Sequence, residues 1–86
     1  MKIVEIITIK DCLACEFVSS VLQDICKNID IKCNIVTCNR DVANTKYKTN
    51  VFPTVIIREN IREIARIFGS MPADFYKSVI DKFETL

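Results

Sequence analysis

Ile3-Val4-Glu5-Ile6-Ile7-Thr8-Ile9-Lys10-Asp11-Cys12-Leu13-Ala14-Cys15 is the stretch on which the fold turns. Residues 3 to 9 are an apolar run rich in β-branched side chains, with Glu5 as the exception. Such a run predicts a strand buried on both faces, as in a sheet covered by helices on either side. A helical pattern begins near Leu13, so Cys12 and Cys15 stand across a strand-to-helix junction. Two thiols so spaced can form a disulfide with each other. The first turn of a helix has unpaired N–H groups and the positive end of the macrodipole, and both favour a thiolate over a thiol.

The rest of the chain has to fold around that junction. With 86 residues it predicts one domain, 1–86, because a chain of this size has no material for a second core. Hydrophobic residues make up 50% and charged residues 27%, with one Gly and two Pro, a composition that predicts a packed domain and no low-complexity segment. Twelve Lys and Arg are scattered among eleven Asp and Glu. With no basic stripe to neutralise phosphates, nucleic acid is not an expected partner. The longest apolar runs, 3–9 and 51–57, are strand-sized and fall far short of the roughly 20 residues that span a bilayer. No membrane partner is expected, and the start of the chain lacks the pattern of a secretory leader, which predicts a cytoplasmic monomer. Five cysteines cannot all pair within one chain, so in a reducing compartment most should be free thiols.

Leu13 to about Asn28 has helical period, with Phe17, Val21 and Ile25 in one row and Val18, Leu22 and Ile29 beside it; Ser19, Ser20, Gln23, Asp24 and Lys27 form the expected wet face. Ile31 to Cys38 alternates and predicts a second strand at a sheet edge. Asn39 can cap a short helix over 41–47. Pro53 lacks a ladder N–H, so the third strand should begin at Thr54. The segment 61–68 is ambiguous: Asn60 can turn the chain into a hairpin, yet Ile61, Ile64, Ala65 and Phe68 also fit a helix. Pro72 suits the first position of a last helix running to about Phe83, with Phe75, Val79 and Phe83 as its core stripe.

Cys12-Leu13-Ala14-Cys15 after the first strand, Lys46-Tyr47 six residues before a Pro, Phe52-Pro53-Thr54 opening the third strand and Gly69 before the last helix together resemble the small thioredoxin and glutaredoxin class of the thioredoxin fold. The resemblance covers nearly the whole chain. It implies an α/β fold, a four-stranded mixed sheet flanked by three helices in the order βαβαββα, with a cis peptide at Phe52-Pro53. It also implies thiol-disulfide exchange with disulfide-containing protein substrates, using the Cys12–Cys15 dithiol with no bound cofactor and no metal. On this basis Cys12 is expected to attack, Cys15 to resolve the mixed disulfide, and Phe52, Pro53 and Thr54 to receive an extended substrate. A partner reductase of the thioredoxin-reductase kind is expected ahead of glutathione, because Gly69-Ser70 with Asp74 is a poor match to the glutathione-binding pattern of glutaredoxins. Where thioredoxins usually carry Trp and Gly-Pro, this chain has Asp11 and Leu13-Ala14.

Three other functions compete: a glutathione-dependent glutaredoxin, a soft-metal carrier gripping an ion with the C-x-x-C thiolates, and an inactive interaction module of the same fold. The carrier leaves Phe52-Pro53-Thr54 unexplained. A four-thiolate site with Cys33 and Cys38 is opposed by strand alternation, which sends those two to opposite faces. Cys26 and Cys33 are expected to be small buried hydrophobes. Cys38 is a candidate auxiliary thiol: parallel first and second strands would end on one rim, placing it about 10 Å from Cys12.

Overall fold

The computed structural model describes residues 1–84. Its first strand, β1 (Lys2–Thr8), leads through a turn at Lys10 and Asp11 into α1 (Leu13–Ile29), followed by β2 (Lys32–Thr37), α2 (Arg40–Lys46), β3 (Thr54–Glu59), β4 (Arg62–Phe68) and α3 (Ala73–Glu84). The sheet order is β2-β1-β3-β4, with β2 parallel to β1 and the other pairs antiparallel. This is the four-stranded mixed sheet with three helices that the sequence predicts. β1 is central, which explains its apolar character on both faces, and β2 lies at an edge.

Alternation along the strands feeds two cores. Val4 and Ile6 of β1 join Val55 and Ile57 of β3 beneath α1 and α3, where Val18, Leu22, Cys26, Tyr76 and Ile80 are buried. Each large apolar side chain buried there contributes roughly 1.5–3 kcal/mol relative to exposure. Ile7 and Ile56 point the other way and pack under Ala43 of α2. Glu5 lies on that second face and meets Arg58 at 2.6 Å, which accounts for a charge in the central strand.

The helix faces differ from expectation. In α1 the buried positions are Cys15, Val18, Ser19, Leu22 and Cys26, a single face at 3.6-residue spacing. That face leaves Phe17 at the flank, 54% exposed, and draws Ser19 inside, where a small side chain fits between helix and sheet. In α3, Tyr76 and Ile80 are buried and Phe75 is exposed. The tyrosine goes inward because its hydroxyl finds partners there: it donates to Gly69 O at 3.1 Å and accepts from the Met71 N–H at 3.0 Å. Pro72 stands one position before α3, its carbonyl accepting from Phe75 and Tyr76.

Segment 61–68 is a strand. Asn60 takes the left-handed conformation (φ 58°) and Glu59 pairs with Arg62 across the hairpin, so pairing with β3 decides what local periodicity left open. Arg66 of β4 then reaches the end of α2 and donates to Tyr47 O at 2.6 Å and Lys48 O at 3.1 Å. Carbonyls left without helical partners are satisfied by a strand on the opposite side of the loop.

Candidate redox site

β1 runs out at Thr8 and β3 begins at Thr54, and because the two are antiparallel with Ile7 opposite Thr54, both points lie on one rim of the sheet. The turn before α1 carries Asp11 in the left-handed region (φ 61°), a conformation a short polar side chain tolerates. Cys12 follows in an extended conformation and is the N-cap of α1. Its Sγ accepts the backbone N–H of Cys15 at 3.1 Å, the capping interaction that a Ser or Asp oxygen makes elsewhere. Cys12 and Cys15 are joined in a disulfide with Cα atoms 5.2 Å apart. The two sulfurs are not equivalent: Cys15 is buried at 3% exposure, whereas Cys12 is half-buried and faces outward.

A cleft of about 410 Å³ opens beside this pair, lined by Cys12, Cys15, Lys10, Asp11 and Glu16 together with Thr8, Ser19, Gln23 and Thr37. The Thr8 and Thr37 hydroxyls are 2.9 Å apart at its floor, one on each of the two parallel strands. Phe52, Pro53 and Thr54 do not line this cleft; they belong to the same rim on the β3 side.

Phe52-Pro53 is a cis peptide. The loop that carries it is braced by hydroxyls: Thr54 Oγ1 donates to Val51 O at 2.6 Å and lies 2.8 Å from Thr49 Oγ1, which accepts from the Val51 N–H at 3.2 Å. Pro53 O is taken by the Gly69 N–H at 2.8 Å, where Gly69 turns with φ 82°. Neither backbone group of Phe52 has a partner among the described residues, and Arg40 lies over its ring with the guanidinium 5.4 Å from the centroid. Thr54 has no exposed surface. Of the three positions expected to meet a substrate, Phe52 is therefore the one with free backbone groups, and Thr54 braces the loop that carries it.

Cys38 stands on the same rim. Its N–H donates to Thr8 O at 3.1 Å and its thiol points at the same oxygen from 3.9 Å, while its side chain packs on the α2 side with Ile7 and Ala43. Cys33 faces the α1 side, so the two are on opposite faces of β2. Cys26 is buried in the core beneath α1 and Cys33, partly buried, packs against that core, in keeping with the expectation of small apolar side chains. No group of three or more His, Cys, Asp or Glu is placed to hold a metal ion among the described residues. No described helix is long and apolar enough to cross a membrane.

No protein-family model matches the sequence and no curated relative does. Solved structures do match. Thioredoxin f2 of Chlamydomonas reinhardtii superposes with a TM-score of 0.81 at 19% identity, covering 95% of this chain and 78% of that one. Thioredoxin 1 of Thermosipho africanus gives 0.81 at 24% identity, over 96% of this chain and 94% of that one. Fasciola hepatica thioredoxin gives 0.77 at 18% identity, over 93% and 79%. At these identities the likeness concerns the path of the backbone.

Proposed function

From a chain with the thioredoxin fold and a dithiol capping its first helix, we propose a thiol-disulfide oxidoreductase acting on disulfide-containing proteins. The observation that carries this reading is the capping bond from the Cys15 N–H to Cys12 Sγ on the more exposed of the two sulfurs. In the reduced protein the same N–H and the helix dipole stabilise negative charge on Cys12. Cys12 thiolate attacks one sulfur of the substrate disulfide, that S–S bond breaks, and the departing sulfur leaves as a thiolate that takes up a proton. Cys15 then gives up its proton and attacks Cys12 Sγ; the mixed disulfide breaks and the second substrate thiol departs. Two electrons have passed to the substrate and the Cys12–Cys15 bond remains, the state present in the structure. A reductase of the thioredoxin-reductase kind returns the pair to dithiol, and no bound cofactor is needed.

Phe52 receives an extended substrate segment through its unpaired backbone N–H and C=O, to which a β-type pairing can be added. Cys38 is an auxiliary thiol at the edge of this site, held against Thr8 O until a shift of the loop at Asn39 frees it. The reducing compartment this cycle requires is consistent with a cytoplasmic location.

The test is reduction of insulin by the dithiothreitol-regenerated protein, with the Cys15→Ser variant in parallel. The natural chain should accelerate precipitation of the freed insulin chains, and the variant should accumulate a mixed disulfide through Cys12. No acceleration and no trapped adduct would reject the reading.

A further inference from the structure

The sheet has two edges, and they are built differently. β4 carries Arg62, Glu63 and Arg66 among its seven residues, and its pairing with β3 shifts register between Ile57 and Arg58. Charges and an irregular register are what keep an edge from pairing with another chain. β2 has Lys32 at its start and then Cys33-Asn34-Ile35-Val36-Thr37, with no further charge, no proline and an unbroken register against β1. The Cys38 N–H donates to Thr8 O, which fixes the direction of the ladder: Asn34, Val36 and Cys38 turn their backbone groups toward β1, while Cys33, Ile35 and Thr37 turn theirs to the open side. Ile35 is 42% exposed, and with Thr37 it lines the cleft together with Glu16, Ser20 and Gln23 of α1.

We propose that this edge is closed by the same edge of a second copy of the chain, antiparallel about a two-fold axis at Ile35, doubling the four-stranded sheet in place of the monomer expected from the sequence. With the axis there every outward residue is paired: Cys33 with Thr37 of the second copy, Ile35 with its own counterpart, and Thr37 with Cys33 of the second copy. A register slid toward the start of the strand would need the Ile31 N–H, which Cys26 O already takes. The helices then meet as well. α1 packs across β1 and β2, so a strand spacing of about 4.8 Å between the two β2 edges sets the two α1 axes about 10 Å apart, a helix-packing distance. The flank of α1 on that side is a row of exposed residues at helical spacing, Glu16, Ser20, Gln23 and Lys27. An antiparallel copy places Ser20 against Gln23 and Glu16 against Lys27, each twice. Neither Glu16 nor Lys27 has a charge partner within its own chain among the described residues, and each gains one from the second copy. Phe52 lies beyond β1, on the β3 side, so the dimer leaves that side of the dithiol open and does not depend on the redox reading.

The experiment is analytical ultracentrifugation of the full chain over a dilution series, in reductant so that no intermolecular disulfide contributes. The natural chain should approach twice its mass of 9.9 kDa as its concentration rises. Ile35→Pro removes an outward N–H while leaving the ladder to β1 intact, and should give a folded monomer. Glu16→Lys and Lys27→Glu each bring like charges together at both helix contacts and should weaken the dimer about tenfold. Mixed in equal amounts, those two variants should form a heterodimer as tight as the natural dimer, because opposite charges meet again. Should Ile35→Pro not fold, the mixture decides, since it alters no residue of the sheet. A natural chain that stays monomeric throughout would overturn the proposal and leave the edge to a strand of another protein. A dimer unchanged in both charge variants, or a mixture no tighter than its parents, would overturn it as well.

Discussion

One helix carries a cysteine pair at its N-terminus and a single free cysteine towards its C-terminus, and the two ends meet opposite surroundings. At the N-terminus of α1, Cys12 caps the helix at the open rim of the sheet, beside a cleft of about 410 Å³, and its sulfur is held by a backbone N–H. Towards the C-terminus, Cys26 lies inside the core, against which Cys33 of the neighbouring strand packs. The macrodipole sharpens the difference, because its positive end favours a thiolate at Cys12 and its negative end opposes one near Cys26. The same side chain is therefore open to the surroundings at one end and shielded from them at the other. Access and local field distinguish the two ends.

The strongest way to break the comparison is to remove one sulfur from each end. Cys12→Ser should lower insulin reduction by roughly three orders of magnitude or more, since it deletes the proposed nucleophile. Cys33→Ala should leave that rate within about twofold, because the side chain touches no part of the rim. Comparable losses in the two variants would mean that the ends are not independent.

A smaller effect tests how the rim is held. Tyr76→Phe leaves Gly69 O and the Met71 N–H without their phenolic partner and should cost about 1–2 kcal/mol in urea unfolding. Burial raises the Tyr76 hydroxyl above its ordinary value, with the Met71 bond acting the other way. The folded state thus holds this proton more tightly than the unfolded chain. Its contribution is complete below the unfolded value of about 10 and declines as the pH rises past it. The natural chain should lose more stability than Tyr76→Phe between neutral pH and the region above about pH 10. Parallel profiles would show that the tyrosine does not carry that dependence.

The smallest expected effect belongs to Glu63, which meets Arg66 at 2.8 Å on β4 while Arg66 also holds the end of α2. The Arg66 hydrogen bond, ahead of the weaker effects of Arg66 and Arg58 charge and against burial, lowers the Glu63 carboxyl below its usual range. Its contribution is present above the unfolded value and lost as the pH falls through the folded one. The Glu63 side chain is 35% exposed and solvent screens the pair, so Glu63→Gln should cost no more than about 0.5 kcal/mol at neutral pH. That difference should vanish in acid. A difference persisting in acid would assign it to packing rather than charge.

What could be read from sequence and what could not divide along range. Local signals determined the buried first strand, the helix beginning beside Cys12-Leu13-Ala14-Cys15, the Asn39 cap, the strand start at Thr54 and the turn at Asn60, because each depends on neighbours a few residues away. Two rows of apolar residues in α1 were equally visible, and which one faced inward was not. That choice depends on how the helix lies across strands remote in sequence, and it put Ser19 inside and Phe17 outside. The same holds for α3, where hydroxyl partners contributed by the Gly69–Met71 loop drew Tyr76 inward in place of Phe75. Segment 61–68 carried a periodicity compatible with helix or strand, and hydrogen bonding to β3 made it a strand. Cys26 and Cys33 read as separate small hydrophobes. Both end at one core because the turn at Asp30 returns the chain so that β2 runs back under the helix it has just left, a condition that only the folded chain imposes.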